Sequence, residues 1–572
     1  MKMKTNDNHL SFDVCIIGSG PAGIIVALEY CRLNPYITVL LIEYGKGDQS
    51  TESALDSSIN LTNIINHHLP QECTNKGLGG TSATWGGRCV MYDDIDFIDR
   101  PILNGGCTWD STLFEEVKSH APIAAQYFEC GKSEFNLSAI PGLQHTTIAE
   151  GFKQGIVTDS TIERYSMPTR FGKRYEEDIK AQKNLTLLQG FEARDFSAPD
   201  NNNKIESLTI REVATKVEKK IAADTFILAA GAQESTRTLL RNPQLFKNLD
   251  SVPQALGKYY QGHLSGKIAS VKFYGDPKKT DYSFTREADG AYIRRRFQFS
   301  SNFLKDNNLL NTAIWLDNPL YFDPKHRSGP MSFMYMAMIT PVLGKKLAPP
   351  AIAHSITKGK VIGLSAHVGN IVKGLPNSLI KPATIFYKRY CVKRKLPGIF
   401  LYSPKNTYAL HFHAEQIPFA GNCMKLGGDG ETLTINYSVT DADVSSVIKL
   451  HDVLDKWLRD CGCGELEYWF NKNELPAAIK NMTKDGLHQS GTTRISNTAD
   501  TGVVDKNLKV WGTSNVYVCS SSVFPTSGQA NPTFFLGAVA VRLANYLTDI
   551  QKIKKIKTNQ EHDEAAVLTL QK

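Results

Sequence analysis

Hydrophobic positions along the chain fall into short β-rich runs that stop at glycine and reopen with the spacing of a helix. The first, Phe12-Asp-Val-Cys-Ile-Ile, stops at Gly18-Ser-Gly-Pro-Ala-Gly23 and gives way to the helix-like stretch 24–32. A second β-rich run, 37–42, ends on Glu43, so the pattern predicts strand, tight turn, helix and strand over 12–43. The theme returns at Thr225-Phe-Ile-Leu-Ala-Ala-Gly231, which opens a helix, and again at 516–525, where a short strand precedes Asn531-Pro-Thr533 and a helical stretch over 536–547. Recurrence of one unit at distant places predicts an α/β, Rossmann-like domain assembled from discontinuous segments, 12–100, 191–265 and 481–550. Residues 101–190 and 266–480 are left for a second, substrate-binding domain, with a flexible N-terminus over 1–11 and a polar tail over 551–572.

Composition narrows this picture without changing it. The chain has 572 residues, 41% hydrophobic and 21% charged, which excludes a disordered, collagen-like or disulfide-scaffold protein and allows more than one domain. Eleven cysteines are scattered without a CxxC pair, so neither a zinc site nor a disulfide framework is expected, and no metal ligand is assigned. Residues 1–12 lack the features of an export signal, and no run of 18 apolar residues occurs. The expected address is therefore cytoplasmic, with a peripheral place at a membrane surface as the variant.

The glycine-rich turn carries the first candidate chemistry. Gly18 permits the tight turn, Gly20 lets backbone approach a pyrophosphate beside Pro21 and Ala22, and Gly23 lets helix and strand pack closely. Glu43, 20 residues beyond Gly23, can accept hydrogen bonds from ribose hydroxyls and repels a 2′-phosphate, so an adenosine with a free ribose is preferred. The rival reading is a glycine turn without a ligand. A strand, a helix and an acidic residue in register favour the nucleotide.

Further motifs follow in order: Gly79-Gly80-Thr81-Ser-Ala-Thr84-Trp85-Gly-Gly, Leu256-Gly-Lys-Tyr-Tyr-Gln-Gly-His263, His413-Ala-Glu-Gln416, Val439-Thr-Asp-Ala-Asp443, His488-Gln-Ser-Gly-Thr-Thr-Arg and Ala530-Asn531-Pro-Thr533. Together with the N-terminal turn, this ensemble resembles the glucose-methanol-choline (GMC) family of FAD-dependent oxidoreductases. The branch that holds pyranose oxidase and the fructose and gluconate dehydrogenases is the nearest in motif. The resemblance implies an FAD-binding domain beside a substrate domain with an antiparallel sheet and helices. It implies oxidation of a CH-OH group, on a sugar or polyol, to a carbonyl, with dehydrogenase preferred to oxidase. His488 then matches the histidine that takes the hydroxyl proton, and Asn531 the partner that aligns the oxygen, while hydride passes to flavin N5. Gly80, Thr81, Ala230, Gly231, Ser520, Asn531 and Thr533 join the N-terminal turn as cofactor-binding residues. Thr84 stands where some relatives tether the flavin through histidine, which implies FAD held non-covalently. Ser520 departs from the Gly or Asp of many relatives. His263 and His413 are read as structural, and Trp85 as packing beside the flavin ring. Two rivals stay open: a flavin-dependent lyase or redox-neutral enzyme on the same scaffold, and a membrane-surface flavoprotein acting on a lipid-linked or phosphorylated substrate.

Charge adds one anomaly. The net charge is only +8, yet residues 324–414 hold 14 Lys and Arg and no Asp or Glu, which leaves the remainder net acidic. Apolar clusters interleave with these cations, which suits an anionic membrane surface or a phosphate-bearing substrate; the plain alternative is a solvated basic face. Nucleic acid is not expected, because no binding motif accompanies the charge.

Overall fold

A computed structural model describes residues 9–46, 58–199, 202–318, 321–340 and 363–570. Its first core is a parallel sheet in the spatial order Leu185–Gln189, Val39–Glu43, His9–Ile17, Glu218–Leu228, and the far half of that last strand also pairs in parallel with Val516–Val518. Two further strands, Ser207–Glu212 and Phe191–Ser197, continue the sheet in antiparallel fashion. Val39–Glu43 is buried along its whole length, as expected of a strand covered on both faces. The helices Pro21–Leu33 and Pro532–Leu570 pack beside each other on the sheet.

The second core lies around an antiparallel sheet ordered Thr312–Asp317, Thr407–Glu415, His263–Phe273, Gly464–Tyr468, backed by the 20-residue helix Asp441–Asp460. That helix opens with a reciprocal cap in which the Thr440 hydroxyl accepts from the Asp443 amide and the Asp443 carboxylate accepts from the Thr440 amide. The chain is thus a mixed α/β fold, with a Rossmann-like sheet built from separated segments beside an antiparallel sheet.

The boundary drawn at residue 190 needs correction. Leu185–Gln189 pairs in parallel with Val39–Glu43, and Trp109, Leu113, Ala124, Phe128, Phe171 and Ile179 all lie in the first core. Residues 113–128 pack on the helix Pro532–Leu570 and 171–189 join the edge of the sheet, so their apolar residues are buried in the first core and not in the substrate unit. No helix among the described residues is long and apolar enough to cross a membrane.

Candidate active site

Three helix N-termini converge on one cleft. The helices Pro21–Leu33 and Gly231–Arg241 both start at the cleft without a side-chain cap, which leaves their first turns available to an anion. The third, Pro532–Leu570, brings Pro532 and Thr533 to the wall. The glycines divide by task. Gly18 has φ of +101°, and a Cβ there would lie 2.6 Å from the Ala229 carbonyl oxygen; a Cβ on Gly23 would overlap the Gly18 carbonyl. A Cβ on Gly20 or Gly231 would instead meet nothing within 4 Å, which is the open approach a ligand needs.

Of the cofactor residues read from sequence, Gly18, Gly20, Pro21, Ala22, Glu43, Gly80, Thr81, Ala230, Gly231, Ser520 and Thr533 line this cleft. Gly23 and Asn531 do not; Gly23 packs helix on strand, and Asn531 sits with His488. Glu43 accepts hydrogen bonds from the Ser19 amide and hydroxyl and from the Gly45 amide, which fixes its carboxylate at the cleft edge. Thr84 is turned to Asn75, whose amide donates to its hydroxyl at 2.8 Å. Trp85 packs on Phe128 and donates to the Thr169 carbonyl, which makes it part of the first core. Gln233, which sequence reading passed over, lines the cleft with both amide atoms buried and unpartnered. A glutamine on the first turn of the Gly231 helix, beside that open glycine, was the available signal.

Beside Leu487 and Gln489, which line the cleft, lies a cluster of polar side chains around His488. The Asn531 amide donates to His488 Nε2 at 2.7 Å, so that nitrogen carries a lone pair, and Asn531 Oδ1 is buried without a partner. One carboxylate organises the turn before His488. Asp485 accepts from the backbone amides of Gly486, Leu487 and His488 at 2.7, 2.8 and 3.1 Å, and from the His263 amide at 2.5 Å. Its Oδ2 stands 3.4 Å from His263 Nδ1 and 3.7 Å from His488 Nδ1. Burial works to raise the Asp485 carboxyl, but the two histidines outweigh it and hold the group well below the usual carboxylate range.

His263 and His413, read as structural, face His488, with ring centroids 5.0 and 5.3 Å from it. His413 donates through Nδ1 to the Gln529 carbonyl at 2.7 Å. Burial, with His263 and Arg88 adding to it, pushes His413 well below the ordinary imidazole value; burial also lowers His263, against the pull of Asp485. Ring nitrogens of all three histidines lie within 4.8 Å of one another. A metal ion sits in the plane of each imidazole that binds it, however, and the rings of His263 and His413 are stacked 4.1 Å apart at 26°. Two nearly parallel rings cannot both aim at one ion in this arrangement. The cluster is a polar wall of neutral rings facing a single base, His488.

Residues 423–540 match the family model described as GMC oxidoreductase. A 2-methyl-1,2-propanediol dehydrogenase of Mycolicibacterium austroafricanum is 26% identical over 149 residues, 25% of this chain and 25% of that protein. A long-chain-alcohol oxidase of Arabidopsis thaliana is 27% identical over 96 residues, 16% of this chain and 13% of that protein. The matched segments thus span a quarter or less of these curated relatives. Among solved structures, an FAD-dependent oxidoreductase from Chaetomium thermophilum shares the fold at 15% identity and a TM-score of 0.51, covering 95% of this chain and 100% of that one.

Proposed function

We propose that this chain, which belongs to the GMC oxidoreductases through residues 423–540, oxidises an alcohol to a carbonyl with FAD held non-covalently in the cleft and His488 as the base. The observation that carries the reading is the 2.7 Å contact between the Asn531 amide and His488 Nε2 at the end of a cleft shaped for a dinucleotide. The residues present fit FAD: two uncapped helix N-termini for the pyrophosphate, glycines whose missing Cβ atoms leave the approach open, Glu43 for a ribose, and an orphaned Gln233 amide in the wall. Bound there, FAD supplies the acceptor for the hydride that leaves the carbinol carbon.

The chain's own groups do the remaining work. In the free site the Asn531 amide fills the hydrogen bond of His488 Nε2. An alcohol that enters between them donates its hydroxyl to Nε2 and accepts from the Asn531 amide, so one exchange both aligns the oxygen and exposes the proton to the base. As the proton moves to Nε2, the new imidazolium faces the Asp485 carboxylate through Nδ1. His263 and His413 stay neutral and do not compete for it.

A sugar or polyol substrate is the finer part of the proposal, supported by the likeness of residues 79–87 to the carbohydrate-oxidising branch. An anaerobic screen of sugars, sugar phosphates, nucleotide sugars and simple alcohols tests both levels. Bleaching of the flavin by an alcohol is expected, with the carbonyl as product; a flavin left oxidised while substrate is converted would assign the protein to lyase chemistry. His488→Ala should retain flavin and slow its reduction by about 10²- to 10⁴-fold.

A further inference from the structure

The long connection between the strands Thr312–Asp317 and Thr407–Glu415 holds most of the acid-free basic stretch, and two of its helices turn apolar side chains to the surface. Helices Leu364–Lys373 and Asn377–Phe386 pack on the helix Gly329–Met338, with Ile385 against its buried methionines Met331, Met334 and Met338 and small and polar groups filling the rest of the contact. His367, fully buried, hydrogen-bonds Ser332 at 2.9 Å, and Asn370 donates to Ser332 at 3.2 Å and to the Pro324 carbonyl at 2.9 Å. Gly374 lies so close that a Cβ on it would stand 2.5 Å from Ser378 Oγ and 3.2 Å from Gly329 Cα.

The outward side is apolar. Leu364, Val368 and Val372 form one stripe at a spacing of four, followed by Leu375, Leu379, Ile380 and Phe386, all 47–61% exposed. Of 22 exposed large apolar side chains among the described residues, nine fall between Leu364 and Tyr390, so this is a concentrated patch and not the usual scatter. A water-facing helix buries its apolar stripe and exposes its polar one. Close contact through glycine, serine and other polar groups, with apolar residues turned outward, is how helices associate in lipid.

Charge selects the occupant. Lys373, Lys381, Lys388, Lys393 and Lys395 are exposed around the patch, and no acid occurs anywhere in 324–414. A second copy docked on this face would set lysine against lysine with no carboxylate between them. Each helix has ten residues, about 15 Å, half the thickness of a bilayer core, so neither can span it. We propose that Leu364–Lys373 and Asn377–Phe386 form a monotopic docking surface for an anionic lipid bilayer, with the apolar residues at the acyl boundary and the lysines among the headgroups. The inference uses none of the residues assigned to alcohol oxidation and stands apart from that reading.

Co-sedimentation of the full, FAD-loaded chain with phosphatidylcholine vesicles, with and without phosphatidylglycerol, tests it. Binding should rise more than about tenfold with the anionic lipid and fall with salt. Val368→Glu with Val372→Glu, and separately Lys388→Gln with Lys393→Gln and Lys395→Gln, should each remove most of it. Their melting temperatures and flavin reduction by a soluble alcohol should stay unchanged, which separates lost docking from lost folding or catalysis. Equal recovery on both vesicle types, or undiminished binding by the glutamate variant, would overturn the proposal. A concentration-dependent dimer abolished by Val372→Glu would overturn it in favour of a second copy.

Discussion

The Asp485 carboxylate has two tasks that one substitution can separate. Its Oδ1 holds the turn before His488 by accepting three backbone amides, and its charge faces the ring through Oδ2. Asp485→Asn keeps an acceptor for the turn and removes the charge. The imidazolium formed during the reaction then lacks its nearest anion, and flavin reduction should slow by about tenfold or more while flavin content and melting temperature hold. Stopped-flow reduction checks it; an unchanged rate would assign Asp485 a purely structural role. His488 and Asn531 stood out in sequence because each lies in a distinctive local motif. Asp485 did not, although it is only three residues before His488, because a carboxylate in a loop has no signature until its partners are known.

At the scale of elements, the two glycines of the opening turn predict different failures. Gly18→Ala places a Cβ on a residue with φ of +101° and against the Ala229 carbonyl, so turn, strand and neighbouring strand are strained together, and loss of soluble folded protein is expected. Gly20→Val points into open space where the ligand would lie. The variant should fold, with unchanged circular dichroism, and be isolated without flavin absorbance. The strand–turn–helix unit that holds both was legible because each part is local: β-rich run, glycine spacing, helix, terminal acid. The meeting of His263 and His413 was not. They are 150 residues apart in sequence, and they are brought together by the antiparallel register that sets His263 opposite Glu415 and Ser265 opposite His413.

For the whole molecule, Glu163 is the clearest tie between the two units. Fully buried, it pairs with Arg88, which follows the Gly79–Gly80 segment, and with Arg294 of the substrate unit; Trp315 lies beneath both guanidinium groups, 4.2 and 4.8 Å away. Burial favours the protonated acid, but Arg294 and Arg88 outweigh it and hold the carboxyl at about 2. Because the unfolded chain titrates near 4.3, this contribution is fully present above that value and is lost as pH falls toward about 2. Glu163→Gln leaves two buried cations without their anion and should cost about 3–5 kcal/mol at neutral pH. Thermal unfolding followed from pH 7 downward should show wild type approaching the variant between about pH 4.3 and 2. An equal gap at every pH would contradict the pairing. The amino-acid sequence by itself determined the parallel α/β framework, the cofactor turn and the candidate base, because hydrophobic period and glycine spacing act over a few residues. Only the tertiary structure decided that residues 109–128 and 171–189 belong to the first core, that three histidines meet, and that the basic insert turns apolar side chains outward. Each of those depends on which surfaces meet, and contacts between surfaces hundreds of residues apart are settled by packing, not by local pattern.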